Sequence, residues 1–210
     1  MKEFDDLLEV ARVLNSPGGC PWDLKQTFFS LQPYVLEEAH EVVEAIDGQN
    51  DKEIVEELGD LLYTVIFYAK VAEKESRFKM EEILETVKLK LIRRHPHIFS
   101  DIKVEDEKEV ERNWDLIKKS EEGKTHRVSG LDGIPDQLPL LAKSQKMMKV
   151  FAKMKFVSLD SAPKMEEDEL SEALFSLIKS AEKSGVDIES AFRRKLADYK
   201  KEFVTFEKKA

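Results

Sequence analysis

Two pairs of carboxylates occur at helical spacing on either side of a short polar break in the first half of the chain. Glu38 and Glu41 are three residues apart and precede the break at residues 48–51. Glu57 and Asp60 repeat the spacing after it. Residues three apart share one face of an α-helix, and a tight turn makes two helices antiparallel neighbours. The two pairs are therefore expected to face one another.

Four carboxylates that converge in this way repel each other unless a cation lies between them. Oxygen-only ligands suit a hard ion, either Mg²⁺ or Mn²⁺. The alternative is that these acids form a solvated helix face, which competes well for the first helix. The second helix becomes apolar nearly all round after Asp60, which predicts burial. Carboxylates that head a buried stripe need a partner, which favours the metal site there.

Two later pairs of residues have the chemistry to bind a phosphorylated ligand. Lys90 and Arg94 share a face near the end of a predicted helix, where they either hold phosphate oxygens or complement the helix dipole. Trp114 and Lys118 are also four residues apart. They either stack on a base and bind a phosphate, or form a core edge with a snorkelling lysine.

A loop rich in glycine and proline contains Trp22 and the single cysteine, Cys20. Trp22 either stacks on a planar ligand or fills a gap in the core. One cysteine excludes an internal disulfide and suits a reducing compartment. No catalytic signature surrounds Cys20, so a packing role is expected for it.

Apolar periodicity predicts an all-α protein, with no strand-type alternation anywhere in the chain. The predicted domains are residues 1–122 and 137–210, joined by a glycine- and proline-containing linker at 123–136. The predicted helices span about 3–15, 26–31, 33–47, 51–75, 79–94, 105–121, 137–153, 166–184 and 188–208.

The composition narrows the classes of function. A net charge of −9 over 210 residues argues against a protein that binds nucleic-acid backbones. No stretch reaches the roughly 18 apolar residues of a membrane helix, and the acidic N-terminus lacks a signal-peptide pattern. The expectation is a soluble cytoplasmic protein that binds neither nucleic acid nor membrane.

The second half of the chain contains a weak echo of the first. Residues 169–175 match residues 57–63 in their apolar and acidic pattern. In that alignment Asp198 and Glu202 stand where the first half has its phosphate-binding candidates, and the first acidic helix has no counterpart. We interpret residues 137–210 as a degenerate, truncated repeat that packs, pairs subunits or regulates.

Together these motifs resemble the MazG family of nucleoside triphosphate pyrophosphohydrolases. The family pattern is Glu-Glu-x-x-Glu followed by Glu-x-x-Asp, which stands here at residues 37–41 and 57–60. Three flanking motifs agree: Gly-Cys-Pro-Trp-Asp at 19–23, Arg-Arg-His-Pro-His-Ile-Phe at 93–99 and Leu-Asp-Gly-Ile-Pro at 131–135.

The resemblance implies an antiparallel all-α bundle that assembles as a homodimer. It also implies Mg²⁺-dependent cleavage of a nucleoside triphosphate between the α and β phosphates, a reaction of nucleotide-pool house-cleaning. The implied metal-binding and catalytic residues are Glu38, Glu41, Glu57 and Asp60. The implied substrate-binding residues are Lys90, Arg94 and Lys118 for the phosphates and Trp114 for the base or sugar; Glu37 is supported only by its motif position.

Two alternatives to this function remain at the level of sequence. A di-iron carboxylate bundle needs two Glu-x-x-His pairs, and the first half of the chain supplies one, Glu37 with His40. The other alternative is a non-enzymatic helical regulatory or interaction protein whose acidic faces are solvated. Metal-dependent nucleotide binding separates that alternative from an enzyme.

Overall fold

A computed structural model describes residues 1–121 and 128–209, and these residues form helices and no strand. The predicted all-α class is confirmed. They divide into two compact units, Met1–Ile117 and Lys118–Ala210. The α-helices are α1 Lys2–Leu14, α2 Gln32–Asp47, α3 Asp51–Lys74, α4 Met80–Arg94, α5 Pro96–Phe99, α6 Glu107–Ser120, α7 Leu140–Lys153, α8 Glu167–Lys183 and α9 Ile188–Glu207; Asp23–Lys25 and Gly130–Gly133 form 3₁₀ turns.

Local sequence signals define the hairpin formed by α2 and α3. Pro33 lies in the first turn of α2, where its missing N–H costs no hydrogen bond. Gln49 takes a left-handed backbone conformation with a φ of 52° in the short connection, which reverses the chain. The Asn50 side chain then caps α3 by accepting a hydrogen bond from the Lys52 backbone N–H at 3.2 Å. The predicted pair of helices joined by a tight turn is therefore present.

The C-terminal half of α3 is the centre of the first unit. Its buried residues contact α1 and α4 on one side and the loop before α2 on the other. The first cluster comprises Ala11, Ile66, Ala69 and Met80. The second comprises Leu31, Phe67 and Val71. Truncating a residue such as Ile66 to Ala is expected to lower the free energy of unfolding by about 2–5 kcal/mol. This packed half of α3 therefore fixes the position of its acidic N-terminal half.

The helix predicted at residues 26–31 is wrong, because residues 28–31 form turns and residues 26–27 have no regular secondary structure. The Thr27 backbone N–H donates to Ser30 Oγ at 2.8 Å, and the Ser30 backbone N–H donates to Thr27 Oγ1 at 3.1 Å. These side chains satisfy backbone donors locally and so compete with a helix. Apolar periodicity also does not predict the 3₁₀ turn at Asp23–Lys25 just before them.

The second unit has its own aromatic core. α7 and α9 pack together through Phe151 and Phe203, whose ring centroids are 4.8 Å apart and which are both almost completely buried. Leu131 of the Gly130–Gly133 turn joins the same cluster. Gly123, the first residue of the predicted linker, lies outside the described residues.

Within residues 1–121 and 128–209, none of the helices combines the length and the apolar character that crossing a bilayer requires.

Candidate metal and nucleotide site

The hairpin brings three glutamates from its two helices into one cluster. Oxygen atoms of Glu38 and Glu41 on α2 and of Glu57 on α3 all lie within 4.8 Å of one another. Glu38 and Glu57 are half-buried, and Glu41 is exposed. We call these three residues the glutamate trio. The predicted convergence of acids from the two helices is therefore present for three of the four.

The position of each acid relative to the turn explains why they meet. Glu41 lies six residues before the end of α2, and Glu57 lies six residues after the start of α3. Glu38 and Asp60 are each nine residues from the corresponding helix end. Residues equally far from the turn lie opposite each other in an antiparallel pair, because both helices rise about 1.5 Å per residue. Glu41 is therefore opposite Glu57, and Glu38 is opposite Asp60.

The charges of these residues follow the same pairing. Desolvation raises the pKa of Glu38 above its ordinary value. Neighbouring acids raise this pKa further, and Asp60 contributes more than any other of them. Desolvation also raises the pKa of Glu57, and Glu41 is the neighbouring charge that adds most. Both shifts mean that the folded chain, with no cation bound, resists the fully ionised state of this cluster.

Asp60 lies outside the trio, one helical turn beyond Glu57, and is exposed. Its backbone carbonyl accepts a hydrogen bond from the buried Thr64 Oγ1 at 3.1 Å. That bond involves the backbone of Asp60 and leaves its carboxylate available to a ligand. The assignment of Asp60 as a metal ligand stays a prediction.

The donor set of the trio suits a hard divalent cation. It offers carboxylate oxygens from two helices, already gathered within the range that one ion or a pair of ions spans. Within the part of the chain that the structure describes, none of the three glutamates forms an ion pair with Lys or Arg. A divalent cation would therefore supply the positive charge that this cluster lacks.

A second group forms at the end of α4. The Arg94 guanidinium carbon lies 5.1 Å from the centre of the Trp114 ring, which is cation–π range. The His95 ring also makes a T-shaped contact with Trp114, with ring centroids 4.9 Å apart. Lys90 is half-buried one turn before Arg94. The structure thus joins two predicted substrate-binding residues, Arg94 and Trp114, in one contact.

Lys118 belongs to the second compact unit, whereas the glutamate trio belongs to the first. It is half-buried near the end of α6. The phosphate-binding role expected for Lys118 stays a prediction.

Trp22 neither fills the core nor stands clear of the protein. It is 49% exposed, and its ring makes an edge contact with Tyr34 at 5.7 Å between centroids. The inner side of Trp22 rests on the buried Phe67 at 6.1 Å. Sequence reasoning misses Tyr34, although its position four residues before Glu38 places it on the same helix face. The burial of Asp23, only 8% exposed, has no local sequence signal.

Comparison with known proteins identifies relatives of the chain. A family model described as the MazG nucleotide pyrophosphohydrolase domain matches residues 26–99. The nucleoside triphosphate pyrophosphohydrolase of Escherichia coli K12 is 43% identical over 157 residues, which is 74% of this chain and 60% of that protein. The uncharacterized protein YabN of Bacillus subtilis is 44% identical over 147 residues, which is 70% of this chain and 30% of that protein. The chain thus spans less than two thirds of these two relatives.

A third relative matches along most of its length. The nucleoside triphosphate pyrophosphohydrolase/pyrophosphatase MazG of Thermotoga maritima is 34% identical over 222 aligned positions, covering 97% of this chain and 85% of that protein. A crystal structure of a mazG-related protein from Thermotoga maritima is 31% identical, covers 55% of this chain and 98% of that chain, and superposes with a TM-score of 0.48. On the sequence matches, the chain belongs to the MazG family.

Proposed function

We propose that this protein hydrolyses nucleoside triphosphates between the α and β phosphates, releasing a nucleoside monophosphate and pyrophosphate, with Mg²⁺ as its cofactor and Mn²⁺ as a substitute. The observation that carries the proposal is the glutamate trio. It gathers negative charge, and within residues 1–121 and 128–209 no lysine or arginine forms an ion pair with it. Membership of a pyrophosphohydrolase family gives the class of substrate. The role is house-cleaning of the nucleotide pool in the cytoplasm.

Glu38, Glu41, Glu57 and Asp60 are the residues that would hold the divalent cation. When bound there, the ion supplies Lewis acidity and neutralises charge on the triphosphate. The carboxylates fix where the cation-bound phosphates come to rest, and their two-helix origin makes the site depend on an intact hairpin. One of these carboxylates also accepts the proton of the attacking water, so water and triphosphate give monophosphate, pyrophosphate and a proton.

Basic residues are needed for the pyrophosphate that leaves. Arg94 offers a planar fork of N–H donors that fits phosphate oxygens, and its contact with Trp114 holds the guanidinium in place. Lys90, one turn earlier, adds a second positive charge to the same helix. We propose that these two residues, with Lys118, stabilise charge on the departing pyrophosphate, and that Trp114 contacts the base or sugar.

A second copy of this chain is the proposed partner. The exposed apolar residues of the hairpin include four that flank the acids. Each lies two residues from one of the four acids, about 200° around its helix. They therefore line the face of the hairpin opposite the acids. A monomer seldom exposes such a continuous apolar surface, so we propose that it forms the homodimer interface. The four residues, which we call the apolar face, are Leu36, Val43, Val55 and Leu62.

Residues 137–210 are proposed to be a degenerate repeat without its own active site, following a catalytic domain at 1–122 and a linker at 123–136. In α8 the acid that corresponds to Asp60 is Glu172, which is exposed. The preceding segment, residues 154–166, contains no helix that could supply the second pair of carboxylates. A site built from two helices cannot form from α8 alone.

Product analysis tests this function. Purified protein incubated with Mg²⁺ and a panel of ribo- and deoxynucleoside triphosphates is expected to yield monophosphate and pyrophosphate in equal amounts. Glu41→Gln and Asp60→Asn are expected to lose this activity. Glu44→Gln, which changes an exposed acid of the same hairpin outside the trio, should retain it. Release of diphosphate and inorganic phosphate, or no turnover of any triphosphate, would contradict the proposal and favour the regulatory alternative.

A further inference from the structure

We propose that Trp22 and Tyr34 form the wall on which the nucleobase of the substrate stacks. This inference rests on the proposed function and adds the residues that recognise the base. It concerns a loop residue and a residue of α2, neither of which belongs to the glutamate trio. The ligand chemistry is a planar heteroaromatic ring attached, through a sugar, to phosphates held at the trio.

The exposure of the two rings makes them available to a ligand. Trp22 is 49% exposed and Tyr34 is 37% exposed, whereas Phe67 beneath Trp22 is 5% exposed. The planes of Trp22 and Tyr34 meet at 82°, so the two rings form a corner rather than a stack. A flat ligand in such a corner can stack on one ring and direct its edge at the other, which are the two arrangements that aromatic groups favour.

The chain positions of the supporting residues place this corner beside the trio. Both helices rise by the same amount per residue. Tyr34 is four residues before Glu38, which is about 6 Å along α2. Phe67, whose ring contacts Trp22, lies seven residues after Asp60. This separation corresponds to about 10 Å along α3. Trp22 therefore contacts both helices of the hairpin on the side of the carboxylates that is remote from the turn. A nucleoside whose phosphates lie at the trio can extend in this direction.

The loop that carries Trp22 is anchored by hydrogen bonds on both sides of the tryptophan. The Cys20 backbone N–H donates to the Leu14 carbonyl at 2.9 Å, and the Gln26 side-chain amide donates to the Trp22 carbonyl at 3.0 Å. Lys74 Nζ on α3 donates to the Leu24 carbonyl at 2.5 Å. An anchored loop loses little conformational freedom when a ligand binds, so the ring is ready for stacking.

Asp23 gives the loop a further attachment to α3. It is buried and lies beside Tyr63 on α3. Burial raises the pKa of Tyr63 above its ordinary value, and the neighbouring Asp23 carboxylate raises it further. The phenol therefore stays protonated next to this carboxylate. The residue after Trp22 is thus held inside the protein while Trp22 itself reaches the surface.

The other tryptophan of the chain has a different environment. Trp114 already has the Arg94 guanidinium over its ring and a T-shaped contact with the His95 ring. Trp22 has no cation over its ring within the residues described, and its contacts are aromatic. Trp114 therefore meets the substrate next to Arg94, at the base or sugar as proposed above, and Trp22 offers the base a separate, half-exposed ring without a cation.

Steady-state kinetics with Trp22→Ala test the inference. Stacking of one base on an aromatic side chain corresponds to about a 5- to 150-fold change in affinity. We expect KM for ATP and GTP to rise by that factor, with less effect for CTP and UTP because pyrimidines present a smaller ring. The inhibition constant of inorganic tripolyphosphate, which has phosphates but no base, should change less than twofold. Trp22→Phe should restore most of the affinity.

The matched control is Phe29→Ala, which removes an 81% exposed aromatic ring from the same loop and should leave both constants unchanged. A second measurement does not depend on the folding of Trp22→Ala. In the Trp114→Phe variant, the α,β-methylene analogue of GTP with Mg²⁺, at concentrations that calorimetry shows to saturate this variant, should quench the remaining Trp22 fluorescence, and tripolyphosphate should not.

The possible outcomes separate the two proposals. Unchanged KM in Trp22→Ala, an equal loss of affinity for tripolyphosphate, or absence of base-dependent quenching would overturn the stacking role while wild-type turnover leaves the proposed function intact. Absence of triphosphate turnover by the wild-type protein would instead overturn the proposed function, and the stacking role with it.

Discussion

Glu41 on α2 and Glu57 on α3 approach each other within 4.8 Å across the hairpin, and no described lysine or arginine is paired with either. Their closeness follows from equal distances to the turn, so any change in the length of the connection at residues 48–50 would move one acid past the other. The site is thus a property of helix register as well as of residue type.

Removing the guanidinium of Arg94 is expected to weaken catalysis. Loss of a charge-assisted hydrogen bond to phosphate costs about 1.5–3 kcal/mol, so Arg94→Ala should lower kcat/KM by roughly 10- to 150-fold. Arg94→Lys should recover only part of this, because an ammonium lacks the planar fork. Arg93→Ala, at the preceding exposed position, serves as the control. Equal losses of kcat/KM in the Arg93 and Arg94 variants would contradict the proposal that Arg94, the arginine in contact with Trp114, is the one that binds phosphate.

The raised pKa of Glu38 has a consequence for the stability of the metal-free protein. A carboxyl whose pKa is higher in the folded than in the unfolded chain stabilises the fold below its ordinary value of 4.5, and this contribution is lost as the pH rises through the raised value. At pH 7 the ionised Glu38 carboxylate therefore destabilises the metal-free fold. Glu38→Gln should raise the apparent Tm at pH 7 in EDTA by about 1–2 °C.

Differential scanning calorimetry at pH 4 and pH 7 measures this effect. The difference in Tm between Glu38→Gln and the wild type should shrink at pH 4, where the wild-type carboxyl is largely protonated. Glu44→Gln, an exposed change elsewhere on α2, gives the baseline for removing one surface charge. A lower Tm for Glu38→Gln at pH 7, or a difference that does not vary with pH, would contradict the cause assigned to the shift.

The apolar face of the hairpin predicts the effect of a charge on assembly. Val55→Lys adds a cation at a site that is 72% exposed in the single chain, so it should leave the fold of the monomer intact. A homodimer that uses this face would have to bury the charge, which is costly. Light scattering coupled to size exclusion should give a dimer mass for the wild type and a monomer mass for Val55→Lys. A wild-type monomer, or an unaffected dimer, would exclude this interface.

The degenerate second repeat predicts that its remaining acid is dispensable. Glu172 is exposed on α8, and within the described residues it belongs to no cluster of side chains that could hold a metal ion. Glu172→Gln should therefore keep kcat and KM within about twofold of the wild type, the scatter expected for surface changes away from a site. A large loss of turnover in a folded Glu172→Gln protein would mean that the second unit takes part in the reaction.

Much of the hairpin can be predicted from sequence because its determinants are local. The Asn50 cap, Pro33 at the start of α2 and the spacing of the acids each act within one or two helical turns. The contacts that sequence reasoning misses are between segments distant in the chain. Trp22 reaches Phe67 on α3, and neither its exposure nor the burial of Asp23 follows from the residues beside them.

The helix predicted at residues 26–31 shows a different limit. Apolar spacing there suits a helix, but two hydroxyl side chains, Thr27 and Ser30, satisfy each other's backbone N–H groups and stabilise a turn. Periodicity reports which side of a segment is buried and does not report which hydrogen bonds its backbone makes. The same applies to the apolar face of α2 and α3, where periodicity predicts a stripe and gives no information on what covers it.

Calorimetric titration of Mg²⁺ into the protein with the α,β-methylene analogue of ATP tests the central claim most directly. We predict nucleotide-dependent Mg²⁺ binding by the wild type and by Glu44→Gln, and its loss in folded Glu41→Gln and Glu57→Gln proteins. Undiminished Mg²⁺ binding in both trio variants would contradict the claim that these carboxylates hold the cation.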